Sequence, residues 1–153
     1  MGTISGTSAA EIEAPLETVW ALVADVERAP AWQGGLKALT ALERDGQGRP
    51  VLCESQSDAK VRTVKSIVRF RYDGPTRLSW TQQKGELKSL DGSWVLEAVG
   101  NGRTHAVYSL EVDLGRMLGM VIRGPLVDLL RDMLVGARAG ELKRAIEQSP
   151  GSR

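Results

Sequence analysis

Apolar and polar residues recur with two different periods along the chain, and the changes of period divide it into three parts. Residues 8–14 alternate as a strand does. The next stretch has the 3.6-residue spacing of a helix, at Leu16, Val19, Trp20, Leu22, Val23 and Val26. Pro15 suits the first turn of this helix, where its missing N–H costs nothing. A second, short helix held by Pro30 is predicted over residues 27–32, before Gly34 and Gly35 end the region.

Between Leu36 and Leu114 the period is two, which predicts six strands in succession. Their expected bounds are 36–43, 51–57, 61–72, 77–84, 87–99 and 104–114. Three segments that contain glycine and are typical of hairpin turns each join two consecutive strands, at 45–48, 73–76 and 100–102. Asp91 and Gly92 interrupt the fifth of the six strands, and we interpret them as a β-bulge.

After Leu114 the helical period returns and predicts a long amphipathic helix. Its apolar stripe contains Leu126, Leu130, Met133, Leu134, Ala137 and Gly140. Charged residues, Arg138 among them, lie on the opposite side, where Val135 and Leu142 are two apolar misfits. Gly124 and Pro125 must either start this helix or kink one that already runs from near Met117, and we predict the kink.

This order of elements predicts an α+β fold with a curved seven-stranded antiparallel sheet wrapped around a long C-terminal helix. Two short helices are expected between strands 1 and 2. The domain should span residues 8–148, between a flexible start at 1–7 and a flexible tail at 149–153. A curved sheet around one helix seldom fills its interior, so we infer a cavity.

Composition narrows the classes of function. The chain has 153 residues, of which 42% are apolar and 25% charged, as in one globular domain. A net charge of +1 argues against nucleic acid as a partner. One cysteine and one histidine predict neither an intramolecular disulfide nor a His/Cys metal site, and no cofactor is implied. No signal peptide or membrane-spanning run is recognised, which indicates the cytoplasm.

Four short segments carry a family resemblance: residues 14–20 (APLETVW), 30–32 (PAW), 78–80 (LSW) and 87–94 (LKSLDGSW). With the order of elements, they resemble the polyketide cyclase/dehydrase and lipid-transport branch of the START-like (SRPBCC, Bet v 1-like) superfamily over residues 8–147. The resemblance implies a helix-grip fold around a lipophilic pocket. Relatives commonly have an aromatic residue just before the proline of the PAW segment, where this chain has Ala29.

Candidate pocket residues come from three strands and the last helix. Trp80, Gln82, Trp94, Tyr108 and Leu110 share the predicted inner face of the sheet. We expect them to face Leu126, Leu130, Met133 and Leu134 across an apolar pocket with few polar groups; plain core packing is the equal alternative. Trp32 is expected near the pocket mouth. Arg62 alternates in step with the apolar residues of its predicted strand. Its side chain could therefore face the cavity and hold an oxygen of a ligand.

Other polar and reactive residues are given structural roles. Cys53 is expected to be a small buried hydrophobe, and His105 to point to solvent. The basic series Lys60, Arg62, Lys65, Arg69 and Arg71 should mostly face water; transient contact with anionic lipid head groups is the alternative.

The expected function is intracellular binding or transport of a small lipophilic ligand, such as a polyketide, an isoprenoid quinone or a lipid. The second hypothesis is a polyketide aromatase/cyclase, in which Tyr108 or Arg62 polarises a carbonyl or moves a proton. It ranks lower because no pair of carboxylates for acid–base work is evident, and no catalytic residue is assigned. The third hypothesis is an interaction module with a filled core. The sequence does not predict an oligomeric state.

Overall fold

The structure, a computed structural model, describes residues 2–148 and contains seven strands and several helical segments. The first half of the chain forms β1 (Thr3–Ile12), α1 (Leu16–Ala24), a 3-10 helix (Val26–Ala31), β2 (Leu36–Arg44), β3 (Pro50–Asp58) and β4 (Thr63–Asp73). The second half forms β5 (Arg77–Gly85), β6 (Ser89–Ala98), β7 (Thr104–Asp113), α2 (Gly115–Val121), α3 (Pro125–Arg131), a π-helical turn (Asp132–Gly136) and α4 (Arg138–Glu147). The expected tail at 149–153 lies outside the described residues.

All seven strands form one antiparallel sheet in the order β1-β7-β6-β5-β4-β3-β2. β1 and β2 therefore occupy opposite edges, and α1 and the 3-10 helix connect them. The C-terminal helical region packs against β1 and β7. The predicted α+β helix-grip architecture is confirmed.

β1 begins five residues earlier than the sequence pattern predicted. Thr3 pairs with Asp113 and Ile4 with Val112, and the Ile4 side chain is buried. Residues 3–7, expected to be a flexible start, thus belong to the strand. Apart from Ile4 this segment has only small and polar residues, which give almost no alternation signal, and pairing with β7 orders it instead.

β6 passes through Gly92 without the predicted bulge. Its register with β5 is regular from Arg77 and Val95 to Thr81 and Asp91. Glycine is needed here for space, because a Cβ atom at position 92 would lie 2.2 Å from Cε2 of Trp80, its partner on β5. The missing side chain lets the indole of Trp80 lie directly over the backbone of β6.

The C-terminal helical region starts afresh at Pro125, so the prediction of a kink in one continuous helix is wrong. α2 ends at Val121, and Gly124 has φ +63°, a left-handed conformation that other residues seldom adopt. Pro125 then occupies the first turn of α3, where it needs no hydrogen-bond acceptor.

A π-helical turn between α3 and α4 changes which residues face the sheet. The N–H of Ala137 donates to the carbonyl of Asp132 at 2.9 Å, five residues back rather than four. This extra residue shifts the phase of the helix by about 100° relative to an uninterrupted α-helix. The two predicted misfits, Val135 and Leu142, are therefore buried, and Ala137 is exposed. Arg138, predicted for the polar face, is buried as well.

Two clusters of buried side chains form the core. One surrounds Trp94 and Leu142, and the other surrounds Leu118, Ile122 and Leu130. Leu90 and Leu110 pack against both clusters.

Candidate ligand-binding cavity

A cavity of about 140 Å³ lies between the inner face of the sheet and the helices. β1 through β7 contribute lining residues, as do α1, the 3-10 helix, α3 and α4. Most of the lining is aliphatic or aromatic. The polar lining residues are Gln33, Ser55, Ser57, Asp58, Ser66, Tyr108 and Arg138. Such a lining suits an apolar molecule that a small number of polar groups orient.

Aromatic rings form a continuous row across the sheet and make up one wall of this cavity. Ring centres are 5.8 Å apart between Phe70 and Trp80, 5.8 Å between Trp80 and Tyr108, and 4.8 Å between Tyr108 and Trp94. Alternation along β4 to β7 directs all four rings to the inner face, and Gly92 leaves room for the Trp80 indole. The row therefore presents a rigid, mostly apolar surface.

Six of the residues expected in the pocket line the cavity. They are Trp80, Trp94, Tyr108, Leu110, Leu130 and Leu134. Four others are close by without being part of the lining. Leu126 and Met133 pack against the second core cluster, and Trp32 packs against Trp94 with a ring separation of 6.2 Å. Gln82 holds a lining residue in place: its Oε1 accepts a hydrogen bond from the Ser66 hydroxyl at 2.8 Å, and its amide nitrogen donates to the carbonyl of Leu87.

Arg62 does not point into the cavity, contrary to the sequence expectation. Its side chain is half exposed and forms a salt bridge with Glu86. β4 begins at Thr63, one residue later, and Arg62 lies in the preceding loop. The alternation that placed Arg62 on the inner face applies only within a strand, so it does not govern this side chain.

Arg138 is the basic residue that the cavity does contain, and the sequence reasoning missed it. Its side chain is 4% exposed, and its Nη1 donates to Glu141 Oε1 at 2.7 Å and to the carbonyl of Gly34 at 2.8 Å. Glu141 Oε2 in turn accepts the N–H of Gly34 at 3.0 Å. The misfits Val135 and Leu142, on either side of Arg138, were the signal that the helix changes phase.

Gly34 and Gly35 allow the C-terminal helices to approach this loop closely. A Cβ on Gly34 would lie 2.7 Å from Glu141 Oε2, and one on Gly35 would lie 2.6 Å from Cδ2 of Leu134. Gly35 also has φ +82°, which favours glycine. The pair thus positions both the Arg138–Glu141 ion pair and a lining leucine.

Tyr108 stands beside this ion pair. The guanidinium carbon of Arg138 is 5.6 Å from the centre of the tyrosine ring. Burial raises the pKa of Tyr108 above its usual value, and the charge and hydrogen bonding of Arg138 oppose that rise. The hydroxyl is therefore protonated at neutral pH and can donate a hydrogen bond.

Within residues 2–148, no group of three or more His, Cys, Asp or Glu side chains is arranged to hold a metal ion. No helix in the same range is long and apolar enough to cross a membrane.

Several solved structures share this architecture. A START superfamily protein from Mycobacterium smegmatis superposes with a TM-score of 0.77 at 22% identity, over 95% of this chain and 97% of that one. A protein from Thermus thermophilus gives 0.77 at 20% identity, over 95% and 99%. The Zhui aromatase/cyclase from Streptomyces sp. R1128 gives 0.70 at 17% identity, over 94% and 96%. The fold is that of a START-like helix-grip protein.

The sequence comparison defines the family. The profile described as Polyketide cyclase / dehydrase and lipid transport matches residues 12–135, and the chain belongs to this family. A comparison with curated proteins finds no match.

Proposed function

We propose that this protein binds a small lipophilic ligand in its internal cavity and acts inside the cell as a carrier or sensor of that ligand. The observation that carries the proposal is the cavity itself, which has an aromatic wall, aliphatic side chains around it and a small number of polar groups. Apolar ligand surface removed from water there contributes roughly 25 cal/mol per Å². The family, whose description includes lipid transport, supports the same class of ligand.

Toluene, a small apolar aromatic molecule, is the probe for this cavity, because apolar cavities of about the same volume admit benzene. Binding should change the tryptophan emission, because Trp80 and Trp94 belong to the lining. Native mass spectrometry of protein purified without detergent tests the same proposal independently. It should show a stoichiometric lipophilic adduct, and organic extraction should release it.

Leu130→Trp should abolish toluene binding while the free energy of unfolding stays within about 1 kcal/mol of wild type. Leu130 is fully buried and faces the cavity, so the larger indole has empty space to enter. Met133→Trp is the matched control, since Met133 lies one helical turn away outside the lining and its substitution should leave binding intact. Calorimetric titration and urea unfolding of both variants provide the measurements.

A different result would refute the cavity proposal. If Leu130→Trp loses several kcal/mol of stability and the wild-type protein binds no lipophile, the interior is a packed core. The chain would then be an interaction module.

A polyketide aromatase/cyclase is the second candidate, and Tyr108 is the observation that favours it. Its protonated hydroxyl lines the cavity beside Arg138 and could polarise a ligand carbonyl. The fold neighbour that is an aromatase/cyclase supports this candidate at the level of architecture. A linear polyketone thioester mimic should then be converted to a cyclised product, which mass spectrometry detects, and Tyr108→Phe should abolish conversion while retaining binding.

A further inference from the structure

An open groove on the surface of the protein lies next to the internal cavity. Residues 30–34 form one wall of this groove, and α4 forms the other with side chains that include Glu141 and Arg144. Gln33 lines both the groove and the cavity. The two spaces therefore lie on opposite sides of one partition, and the residues of that partition decide whether a molecule can pass between them.

One hydrogen-bonded unit of three residues belongs to this partition. Arg138 lines the cavity, whereas Gly34 and Glu141 line the groove. Arg138 Nη1 donates to the carbonyl of Gly34 at 2.8 Å and to Glu141 Oε1 at 2.7 Å. The N–H of Gly34 donates to Glu141 Oε2 at 3.0 Å. We call these three residues the latch, because their contacts connect the lining of the cavity to the lining of the groove.

The latch joins a loop to a helix through side chains alone. Apart from its two bonds to Gly34, no hydrogen bond joins residues 33–35 to α4 within residues 2–148. On its other side the loop is fixed to the sheet, because the carbonyl of Gly35 accepts the N–H of Asp58 at 2.7 Å. Rotation of two side chains would therefore separate α4 from the loop without breaking the backbone hydrogen bonds of a strand or a helix.

The ion pair of the latch is poorly suited to a purely structural role. The side chain of Arg138 is 4% exposed and that of Glu141 is 13% exposed. Desolvation of two charges largely offsets their attraction, and well-packed apolar residues of similar size often stabilise a protein as much or more. Opening toward the groove would return both charges to water, which compensates for the contacts that are lost. Such a pair suits a contact that breaks and re-forms.

An alternative entrance would lie between the β3–β4 and β5–β6 loops. Ala59 and Leu87 in these loops line the cavity, and a salt bridge between Arg62 and Glu86 joins the loops. However, the N–H of Glu86 donates to the carbonyl of Lys65, and the Glu86 carboxylate accepts the N–H of Lys65 at 2.9 Å. Bonds to the backbone of β4 thus hold the β5–β6 loop in place, so this end should open less readily than the latch.

We propose that Gly34, Arg138 and Glu141 form a gate through which a ligand passes between the surface groove and the cavity. This inference rests on the proposed function, because a gate requires a ligand in the cavity. The closed latch retains the ligand, and opening of the latch sets the rate of exchange. Since the gate opens equally in the free and the loaded protein, loosening it should raise the association and dissociation rates together and leave the Kd unchanged.

Gly34→Ala tests the gate without changing the lining of the cavity. Gly34 does not adopt the left-handed conformation of Gly35, so alanine fits its backbone. The added Cβ would lie 2.7 Å from Glu141 Oε2 and should displace this carboxylate from the Gly34 N–H. Stopped-flow tryptophan emission with toluene should show both rates raised about tenfold, as expected for the loss of one hydrogen bond to a charged group. The Kd should stay within about twofold of wild type.

Arg138→Met combined with Glu141→Met is the second test of the latch. It removes the ion pair as a unit, which avoids leaving one charge buried without its partner. The dissociation rate of toluene should rise at least as much as in Gly34→Ala. Urea unfolding of both proteins shows whether each is folded, and this double variant decides the outcome if Gly34→Ala is not.

Two matched controls should exchange toluene at the wild-type rates. Gly46→Ala is the same chemical change at a glycine whose added Cβ would have no atom within 4 Å. Arg62→Gln removes the salt bridge at the alternative entrance, and this side chain does not line the cavity.

The outcomes separate the gate from the proposed function. If toluene does not bind the wild-type protein, the proposed function fails and the gate fails with it. If toluene binds and the folded latch variants exchange it at wild-type rates, only the gate is refuted. Faster exchange in Arg62→Gln but not in Gly34→Ala would place the entrance at the other pair of loops. A weaker Kd in Gly34→Ala with an unchanged association rate would also overturn the gate, because Gly34 would then support the shape of the cavity.

Discussion

Cys53 shows how burial defines the chemistry of one residue. It has no exposed surface on β3, and burial raises the pKa of its thiol to about 11. The nucleophilic thiolate is therefore scarce at neutral pH. The sequence interpretation of Cys53 as a small buried hydrophobe is confirmed.

The raised pKa of Cys53 predicts a loss of stability in alkaline solution. The unfolded thiol titrates near pH ~8.5, whereas the folded protein keeps its proton to about pH 11. Deprotonation thus favours the unfolded state: the stabilisation is complete below pH ~8.5 and declines as the pH rises. Between about pH 8.5 and 10 the free energy of unfolding should fall by about 1.5 kcal/mol, measured by urea unfolding. Above that range Tyr72 and Tyr108, whose pKa values are also raised by burial, add to the loss.

Cys53→Ala is the control for this loss. The variant should be less stable at neutral pH, because it leaves a small cavity, but its stability should vary less between about pH 8.5 and 10. An identical pH dependence in both proteins would show that another group is responsible.

Alternation along strands predicted which side chains share the inner face, and it succeeded for Trp80, Trp94 and Tyr108 because all three lie well inside strands. It failed for Arg62, because this residue lies one position before β4 begins and side chains alternate between the two faces only within a strand. It also could not show why Gly92 is a glycine. Glycine is needed at this position because the indole of Trp80, on the neighbouring strand, occupies the space of a side chain. A local sequence pattern does not contain this contact.

At the level of elements, the strands and their hairpin turns were predictable, whereas the C-terminal helices were only partly so. Helical periodicity assumes a constant rotation per residue, and a π-turn breaks this assumption. The stripe assigned before the turn was largely right, with Leu130 and Leu134 facing the cavity. After the turn the same stripe was out of phase, so Arg138 was placed on the wrong side.

The π-turn predicts an unusual tolerance to deletion. Removing Gly136 should restore four-residue hydrogen bonding and leave both α3 and α4 facing the sheet, since the turn accommodates one extra residue. Gly136 is exposed, and glycine in a helix costs about 1 kcal/mol relative to alanine. The free energy of unfolding should therefore change by less than about 1 kcal/mol in urea titrations.

Deleting both Gly136 and Ala137 is the matched control. One residue too few would rotate α4 by about 100° and turn Leu142 and Ile146 out of the core. Each lost leucine or isoleucine contact costs about 2–5 kcal/mol, so this variant should be strongly destabilised. Equal stability of the two deletions would contradict the phase-shift explanation.

At the scale of the whole molecule, the order of elements predicted the α+β class and the meander of strands, because short turns force successive strands to pair, and the family resemblance implied the helix-grip fold. The residual volume inside was not predictable in the same way. The sheet and the helices either pack directly against each other or leave a cavity, here of about 140 Å³. Which of the two occurs depends on the summed sizes of side chains that are distant in sequence, and periodicity carries no such information.

The position of β1 at one edge of the sheet affects how the chain is completed during synthesis. Within residues 2–148 β1 pairs with β7 alone, so Thr3–Ile12 has no partner strand until Thr104–Asp113 has emerged from the ribosome. The meander β2 to β6 can form earlier by local pairing, whereas the long-range closure comes last. The nascent protein thus acquires its first strand and its cavity in the same late step. The backbone amides of β1 should gain protection from hydrogen exchange only in arrested chains long enough for Asp113 to have left the ribosome.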